Sequence, residues 1–253
     1  MRITKSRIKK FRDYIFSWWE FNKRDLPWRH THDPYKILVS EIMLQQTQVP
    51  RVIARYRAFI ARYPTVSDLA QASTADVLKI WKGMGYNRRA LYLKKAAALG
   101  RIPKTETELM TLPGVGKYTA RAILVFAYKQ DVAAVDTNIR KIITHFFFND
   151  IQQKESIIQE TADEILPKGK SWEWHQALMD FGALALQSRA KSRDLSKKTI
   201  PFKQSNRFMR GKIMDSLRTG AITEPSVFPA SVIDGLVKDG LAERKSGKIQ
   251  LPD

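Results

Sequence analysis

Residues 112–119 read LPGVGKYT, and this stretch separates two segments whose apolar residues recur with helical spacing. Its two glycines allow the backbone to turn tightly and to come close to another chain. The helix that begins near Thr119 has free N–H groups at its N-terminus, and together with the helix dipole they suit a phosphate. The short Gly-Val-Gly motif alone also fits an ordinary turn between two helices. The whole stretch predicts a helix–hairpin–helix with an anion site.

The rest of the chain repeats the same helical spacing almost everywhere. Apolar residues between Pro34 and Tyr63 recur about every 3.6 residues, and Pro50 is expected to end one helix and start the next. Thr65 and Ser73 are predicted N-caps. No stretch before residue 240 alternates with period two. Further helices are predicted at 68–72, 75–84, 87–98, 106–110, 119–128, 138–147, 155–166 and 174–187.

The composition of the chain changes after Gln187. Eight Lys and Arg but one acid lie between Arg189 and Arg210. Two helices are predicted beyond this basic segment, at 206–218 and 229–239, and residues 241–251 read as a hairpin that turns at Ser246–Gly247. Helix, helix and hairpin favour a small winged-helix-like α+β appendage on an otherwise all-α protein.

Charge and cysteine content narrow the function. The 253 residues include 44 Lys+Arg and 25 Asp+Glu, a net charge of +19, and no cysteine. The missing cysteines exclude disulfides, thiolate metal sites and cysteine nucleophiles. The positive charge favours a polyanionic partner such as nucleic acid, and a merely solvated basic surface is the alternative. We identify no signal peptide, no membrane span and, from the spacing of the four histidines, no metal site.

Two carboxyl groups are candidates for acid–base chemistry. Glu41 lies in the middle of an apolar helical stretch, so we expect burial to raise its pKa, unless it lies on an exposed stripe of that helix. Asp136 precedes a helical run and is expected at its N-cap, where N–H donors would lower its pKa. A plain structural cap is the alternative for Asp136. Two carboxyls with separated pKa values are typical of enzymes that cleave glycosidic bonds.

Five strings resemble a known family. They are RDLPWR (24–29), DPYKILVSEIMLQQTQV (33–49), GMGY (83–86), LPGVGKYT (112–119) and VDTN (135–138). The chain resembles the helix–hairpin–helix (HhH-GPD) DNA glycosylase superfamily, and within it the adenine DNA glycosylases of the MutY type. The resemblance covers roughly residues 20–185. It implies a two-lobed all-α glycosylase fold.

The resemblance also implies roles for individual residues. Glu41 would protonate a flipped adenine, and Asp136 would stabilise the sugar cation or attack it. Tyr118 and Asn138 would orient that pair, with Arg24 near Glu41. Residues that would wedge into the duplex or line that wedge are Gln46, Tyr86 and Leu44. Residues of the hairpin that would hold DNA are Gly114, Val115, Gly116, Lys117 and Thr119.

Two departures from the family pattern matter. The family's four-cysteine iron–sulfur cluster has no ligands here, and Leu186 stands where its first cysteine would be, so we predict no cluster and no other cofactor. The basic stretch 189–212 is a substitute source of charge. The residues after Phe202 are too few for the family's 8-oxoguanine-recognition domain.

Tyr118 stands where the bifunctional members of the superfamily have a lysine, which predicts a monofunctional enzyme.

The expected function is therefore base excision repair of adenine mispaired with guanine or 8-oxoguanine. A thymine or uracil·guanine mismatch glycosylase and a non-catalytic DNA-binding homologue are the alternatives. The expected partner is mismatched or damaged double-stranded DNA. We expect the protein to be a monomer and not to associate with a membrane. We expect a cytoplasmic, nucleoid-associated location in a bacterium, or otherwise an intracellular DNA compartment.

The predicted domain division has four parts. Residues 1–24 and 136–188 form a terminal helical lobe, and residues 25–135 form a six-helix lobe with the helix–hairpin–helix at 108–128. A basic linker at 189–205 leads to the winged-helix-like module at 206–253. The aromatic residues Trp18, Trp19, Phe21, Trp172 and Trp174 are expected in the core of the terminal lobe.

Overall fold

The computed structural model describes residues 3–186 and 201–253. Within these ranges helices dominate and a single two-stranded hairpin is present, so the all-α prediction with a small α+β appendage is confirmed. The helices are α1 (Lys5–Asn22), α2 (Pro34–Leu44), α3 (Val49–Arg62), α4 (Val66–Gln71), α5 (Thr74–Ile80), α6 (Arg88–Ala97), α7 (Glu106–Leu109), α8 (Lys117–Phe126), α9 (Thr137–Phe148), α10 (Glu155–Ile165), α11 (Ser171–Leu184), α12 (Asn206–Thr219) and α13 (Ala230–Lys238). The strands are β1 (Glu243–Lys245) and β2 (Lys248–Gln250).

Side-chain caps start several helices where the sequence predicts them. Thr65 accepts a hydrogen bond from the backbone N–H of Asp68, and the Asp68 carboxylate accepts one from the N–H of Thr65, which makes a capping box at α4. Ser73 caps α5 in the simpler way, through the N–H of Asp76. These caps satisfy donors that would otherwise lack intrahelical partners.

The boundary between α2 and α3 differs from the prediction. Pro50 does not separate the helices, because α2 already ends at Leu44 and Pro50 is the second residue of α3. The chain reverses between them through Gln46, whose φ is +54°. Proline is well tolerated in the first turn of a helix, where its missing N–H has no intrahelical acceptor. Pro50 therefore starts α3 but does not end α2.

The described residues form two compact units. The first comprises residues 3–37, 103–111 and 115–186, and the second comprises 38–102, 112–114 and 201–253. The division predicted from the sequence stays a prediction. Its basic linker, 189–205, lies outside the described residues except for 201–205. None of the helices that the structure describes is long and apolar enough to cross a membrane.

The first unit has an aromatic-rich core. Helix α1 contributes residues spaced three or four apart to it, and Trp19 and Trp174 are both buried there. Trp18 and Trp172 pack against the cluster while partly exposed, as expected of core residues. Phe21 is 87% exposed, so its predicted core position is wrong. It lies two residues beyond Trp19, and a helix turns about 200° over that distance, which directs Phe21 away from the core.

The second unit includes the C-terminal module. Helices α12 and α13 pack on each other, and β1 pairs antiparallel with β2 across a turn at Ser246–Gly247. Both turn residues have positive φ, as a two-residue hairpin turn requires. Ile222 forms an isolated antiparallel bridge with Ile249, which widens the small sheet. The predicted order of helix, helix and hairpin is therefore confirmed.

Candidate active site

The glycine hairpin needs glycine at residue 114. Gly114 has φ +79°, and a Cβ built there would lie 2.6 Å from Cδ2 of Tyr92. Leu112 and Val115 are buried, as expected of the hydrophobic anchors on either side of the turn. The Gly114 carbonyl accepts a hydrogen bond of 3.0 Å from the Gln45 side chain. Both the conformation and the close approach therefore exclude a larger side chain.

The hairpin leads directly into α8. The N-cap of α8 is Gly116, so no side chain caps the helix, and the first-turn N–H groups keep the capacity to bind an anion. Lys117 is the first residue of the helix. Thr119 is 4% exposed and packs within the unit, so only its backbone is placed to contribute to an anion site. The DNA contacts predicted for this hairpin stay predictions.

A small basic cleft with a volume of about 50 Å³ opens in the first unit beside α8. Three of its side chains are cationic and one is acidic, and Arg140 lies 3.8 Å from Glu155. Lys117 and Tyr118 both line this cleft, although consecutive residues of a helix differ in direction by about 100°. The residues that line the cleft are Lys117, Tyr118, Arg121, Val135, Arg140, Glu155 and Gln159.

Asp136 is the N-cap of α9, as predicted. Its Oδ1 accepts a hydrogen bond of 2.7 Å from the backbone N–H of Ile139, and its Oδ2 accepts one of 3.3 Å from the Asn138 side chain. The predicted association of Asp136 with Asn138 is therefore seen in the structure. These bonds fix the orientation of the carboxylate at the start of the helix.

The predicted lowering of the Asp136 pKa is wrong. Burial raises the pKa of Asp136 above its ordinary value, and it outweighs the hydrogen bonds from Ile139 and Asn138 and the nearby charge of Lys141. The sequence indicates the cap but not how much of the carboxylate loses contact with water. A carboxylate in such surroundings interacts more strongly with a cation than it would in water.

His175 supports the segment that leads to Asp136, and sequence reasoning did not assign it this role. Its Nε2 accepts a hydrogen bond of 2.9 Å from the N–H of Ala134, and its Nδ1–H donates one of 2.6 Å to the Ser171 carbonyl. The ring is fully buried, and burial lowers the pKa of His175 to about 4. A neutral imidazole therefore fixes the backbone two residues before Asp136.

Glu41 lies in the second unit, in the buried part of α2. It is 6% exposed, and its neighbours Ser40 and Ile42 are almost inaccessible to water. The prediction of a carboxyl group inside an apolar helix is therefore confirmed, and an exposed stripe is excluded. Its meeting with Asp136 around one nucleotide stays a prediction.

The two residues predicted to enter the duplex both have strained backbones. Gln46 has φ +54° and Tyr86 has φ +44°, a region that residues other than glycine rarely occupy. Both are exposed to solvent, whereas Leu44 is half-buried at the end of α2. Strain of this kind persists only where the surroundings impose it, and it is concentrated at functional sites.

Arg89 imposes that strain on both turns at once. Its Nη1 donates hydrogen bonds to the carbonyls of Ile42, Met43 and Gln45 at the end of α2. Its Nη2 donates to the carbonyls of Met84 and Gly85, immediately before Tyr86, and to the Thr47 hydroxyl.

The Arg89 guanidinium therefore joins the Gln46 and Tyr86 turns into one surface. Burial lowers the pKa of Arg89 to about 10, which leaves it charged at neutral pH. The sequence gives only an arginine three residues after Tyr86, and no local pattern identifies its acceptors.

Arg24 forms an ion pair that the sequence does not predict. Its Nε and its backbone N–H both donate to Asp180, which Arg29 and the Trp19 indole also contact. Burial alone would raise the pKa of Asp180, but these partners hold it below its ordinary value. The catalytic role predicted for Arg24 stays a prediction.

The chain does not fit the iron–sulfur cluster that the family resemblance implies. Such a cluster needs thiolate ligands, and the chain has no cysteine. Leu186, at the expected position of the first ligand, is the last described residue before the gap. No step of the chemistry below passes through a cluster.

Comparison with known proteins extends these observations. Residues 39–168 match the HhH-GPD superfamily of base excision DNA repair proteins. The adenine DNA glycosylase of Mycolicibacterium smegmatis is 33% identical over 91% of this chain and 92% of its own length. The adenine DNA glycosylase of Mycobacterium tuberculosis is 41% identical, and this match covers 69% of this chain and 61% of the relative.

One solved structure is also similar in sequence. A thermostable thymine-DNA glycosylase superposes with a TM-score of 0.67 at 32% identity, covering 73% of this chain and 89% of that protein. The chain therefore belongs to the HhH-GPD superfamily of base excision DNA repair proteins.

Proposed function

We propose that this protein is a monofunctional DNA glycosylase that releases adenine mispaired with guanine or 8-oxoguanine. Its relatives at 33% and 41% identity are named adenine DNA glycosylases, which supports the choice of base. The observation that carries the proposal is the Asp136 carboxylate, fixed by Ile139 and Asn138 at the N-terminus of α9. A fixed carboxylate in partly desolvated surroundings stabilises the cation that forms when a glycosidic bond breaks.

The reaction requires the adenine to leave the base stack, because its reacting atoms are inaccessible inside the duplex. Glu41 donates a proton to N7 of the extruded base, and the C1′–N9 bond then breaks with its electron pair going to adenine. Asp136 stabilises the oxocarbenium ion that remains. A water molecule adds to C1′ and loses a proton, which gives free adenine and an abasic site.

Tyr118 limits the reaction to base release. A bifunctional glycosylase needs a primary amine that forms a Schiff base with the sugar before the strand is cut. The phenol of Tyr118 cannot form such an adduct. Together with Asn138 it acts by orienting the Asp136 region. We infer that the protein works as a monomer on duplex DNA.

A second candidate keeps the chemistry and changes the base. The similarity to a thermostable thymine-DNA glycosylase, at 32% identity, favours mismatched thymine or uracil opposite guanine as the alternative substrate. A DNA-binding homologue without turnover is a third possibility. The buried Glu41 argues against it, because a protein that only binds DNA gains nothing from a buried carboxyl group.

A panel of duplexes tests the proposal. Each duplex contains one defined mispair, and the measurements are released base and strand breaks without alkali. We expect multiple turnovers on adenine opposite guanine or 8-oxoguanine, no strand breaks, and no base release by Asp136→Asn. Release of thymine or uracil alone would replace the adenine assignment. Equal base release by the wild type and Asp136→Asn would contradict the mechanism.

A further inference from the structure

The C-terminal module places a cation directly on the Tyr86 ring. The guanidinium carbon of Arg207, in the first turn of α12, lies 4.6 Å from the centre of that ring. Arg207 is exposed, and Tyr86 is 42% exposed. Among residues 3–186 and 201–253, no carboxylate forms an ion pair with Arg207. The N–H donors of Arg207 therefore stay available to a ligand while its guanidinium lies near an aromatic ring.

Hydrogen bonds hold α12 at this position. Near the other end of the helix, Arg218 donates to the Leu78 carbonyl and to the Asn87 side chain, each at 2.9 Å. A weaker ion pair of 3.6 Å joins Arg88 to Asp239 after α13. The contacts of Arg218 are well shielded from solvent, since its side chain is only 7% exposed. Helix α12 is thus fixed against α5 and α6, and Arg207 is positioned by the fold.

The same ring also lies near a second cation. The guanidinium of Arg89, which holds the Tyr86 turn from inside the unit, is 5.5 Å from the ring centre. Both terminal nitrogens of Arg89 donate to backbone carbonyls and a hydroxyl, and its Nε is buried, so it cannot bind a further anion. Arg207 differs because its donors face solvent. An exposed guanidinium matches a phosphate diester with paired N–H donors.

We propose that Arg207 binds the sugar–phosphate backbone of duplex DNA beside the point at which Tyr86 enters the duplex. This makes the C-terminal module part of the DNA-binding surface, and it rests on the proposed function and on the predicted insertion of Tyr86 into the duplex. The ring restrains the guanidinium in the free protein, so that less conformational freedom is lost when the phosphate binds. The module then supplies backbone contacts that are independent of base sequence.

The test measures binding and does not depend on base excision. The probe is a fluorescent duplex with a tetrahydrofuran abasic analogue opposite guanine, titrated at several salt concentrations. We expect Arg207→Ala to weaken binding about tenfold, the loss of one charge-assisted contact. The slope of log K against log salt should also fall by about one. Arg207→Lys should keep the salt slope and lose part of the affinity.

Arg244→Ala is the matched control, because Arg244 is an exposed arginine of the same module that pairs with Asp234. We expect it to change affinity less than about twofold, as is usual for an exposed ion pair. A cycle with Tyr86→Leu should show non-additive losses for Arg207 and Tyr86.

Three results would overturn the inference. They are affinity of Arg207→Ala within twofold of the wild type, equal losses for Arg207→Ala and Arg244→Ala, or a loss that follows a lowered melting temperature while the salt slope is unchanged. Failure of the proposed function would appear separately, as a wild type that binds the probe but releases no base from any duplex of the panel.

Discussion

The carboxylate of Asp136 and the guanidinium of Arg89 both lie at helix ends, and each carries the charge that the dipole of the contacted helix favours there. Asp136 accepts hydrogen bonds at the N-terminus of α9, and Arg89 donates them at the C-terminus of α2. The two groups differ in the hydrogen-bonding capacity that is left for a further partner. Both terminal nitrogens of Arg89 are occupied by six acceptors, whereas Asp136 accepts hydrogen bonds only from Ile139 and Asn138 among the described residues.

This contrast separates a positioning group from a reacting one. A carboxylate has about four sites for hydrogen bonds, so Asp136 keeps capacity to meet a cation. A guanidinium whose two terminal nitrogens are both engaged, and whose Nε is buried, can only hold its surroundings in place. Charge and burial alone would have suggested the same role for both residues. Substitutions at the two positions should therefore affect activity and stability in opposite proportions.

The largest expected effect is the loss of activity in Asp136→Asn. We expect single-turnover base release to fall at least about a thousandfold, because the amide cannot stabilise a cation electrostatically. Stability should not fall. The raised pKa of Asp136 means that its contribution to stability is present below the ordinary pKa and is lost as pH rises through the raised value.

At neutral pH the ionised Asp136 is thus slightly unfavourable for folding, and asparagine is an equally good N-cap. Thermal melts at pH 7 should show an equal or higher midpoint for the variant. A midpoint several degrees lower, at normal secondary structure content, would mean that Asp136 serves mainly as a structural cap.

Arg89→Met should show the opposite behaviour. Removing the guanidinium leaves several buried carbonyls without donors, which should lower the free energy of unfolding by about 3 kcal/mol or more. Urea denaturation measures this loss. Arg88→Met is the control, because the ion pair of Arg88 with Asp239 is 3.6 Å long and partly exposed. This variant should lower the free energy of unfolding by less than about 1 kcal/mol. Similar losses for both variants would contradict the role of Arg89.

His175 should make stability depend on pH. Its folded pKa of about 4 lies below the ordinary 6.5, so its contribution is present above pH 6.5 and is lost as pH falls towards 4. Between pH 7 and 4.5 this amounts to about 2 kcal/mol. His175→Gln should remove that part of the pH dependence in urea denaturation, and His30→Gln, at an exposed site, should not. Parallel pH profiles for wild type and His175→Gln would disprove the coupling.

The smallest effect concerns the hairpin. Gly114→Ala combines a positive φ with a Cβ 2.6 Å from Tyr92, whereas Gly100→Ala has a positive φ and open space around it. We expect the free energy of unfolding to fall by about 1 kcal/mol in Gly100→Ala, where only the backbone is strained, and by about twice that in Gly114→Ala. Thermal melts of the two variants give the comparison. Equal shifts would show that Tyr92 moves aside without cost.

The sequence predicts features that depend on a few neighbouring residues. The Thr65 N-cap, the Ser246–Gly247 turn and the Asp136 cap each depend on residues close in the chain, and all three are present. The end of α2 and the exposure of Phe21 were missed, because local spacing leaves both open.

Features that depend on distant residues could not be predicted. Four of the six acceptors of Arg89 lie more than 40 residues away in the chain, and His175 lies 41 residues from Ala134. No local pattern contains either pairing. The direction of the Asp136 pKa shift was wrong for the same reason, since burial depends on the whole fold. The resemblance to the family names reacting residues but not the groups that hold them.

The buried Asp180 also determines when the first unit can form during synthesis. Trp19 lies 161 residues before it and Arg24 lies 156 before it, so neither partner can be paired until α11 has left the ribosome. Helix α1 is made first but must wait for nearly all of this unit, with its apolar face uncovered. A nascent chain stopped before residue 180 should therefore depend on chaperones more than one stopped after it.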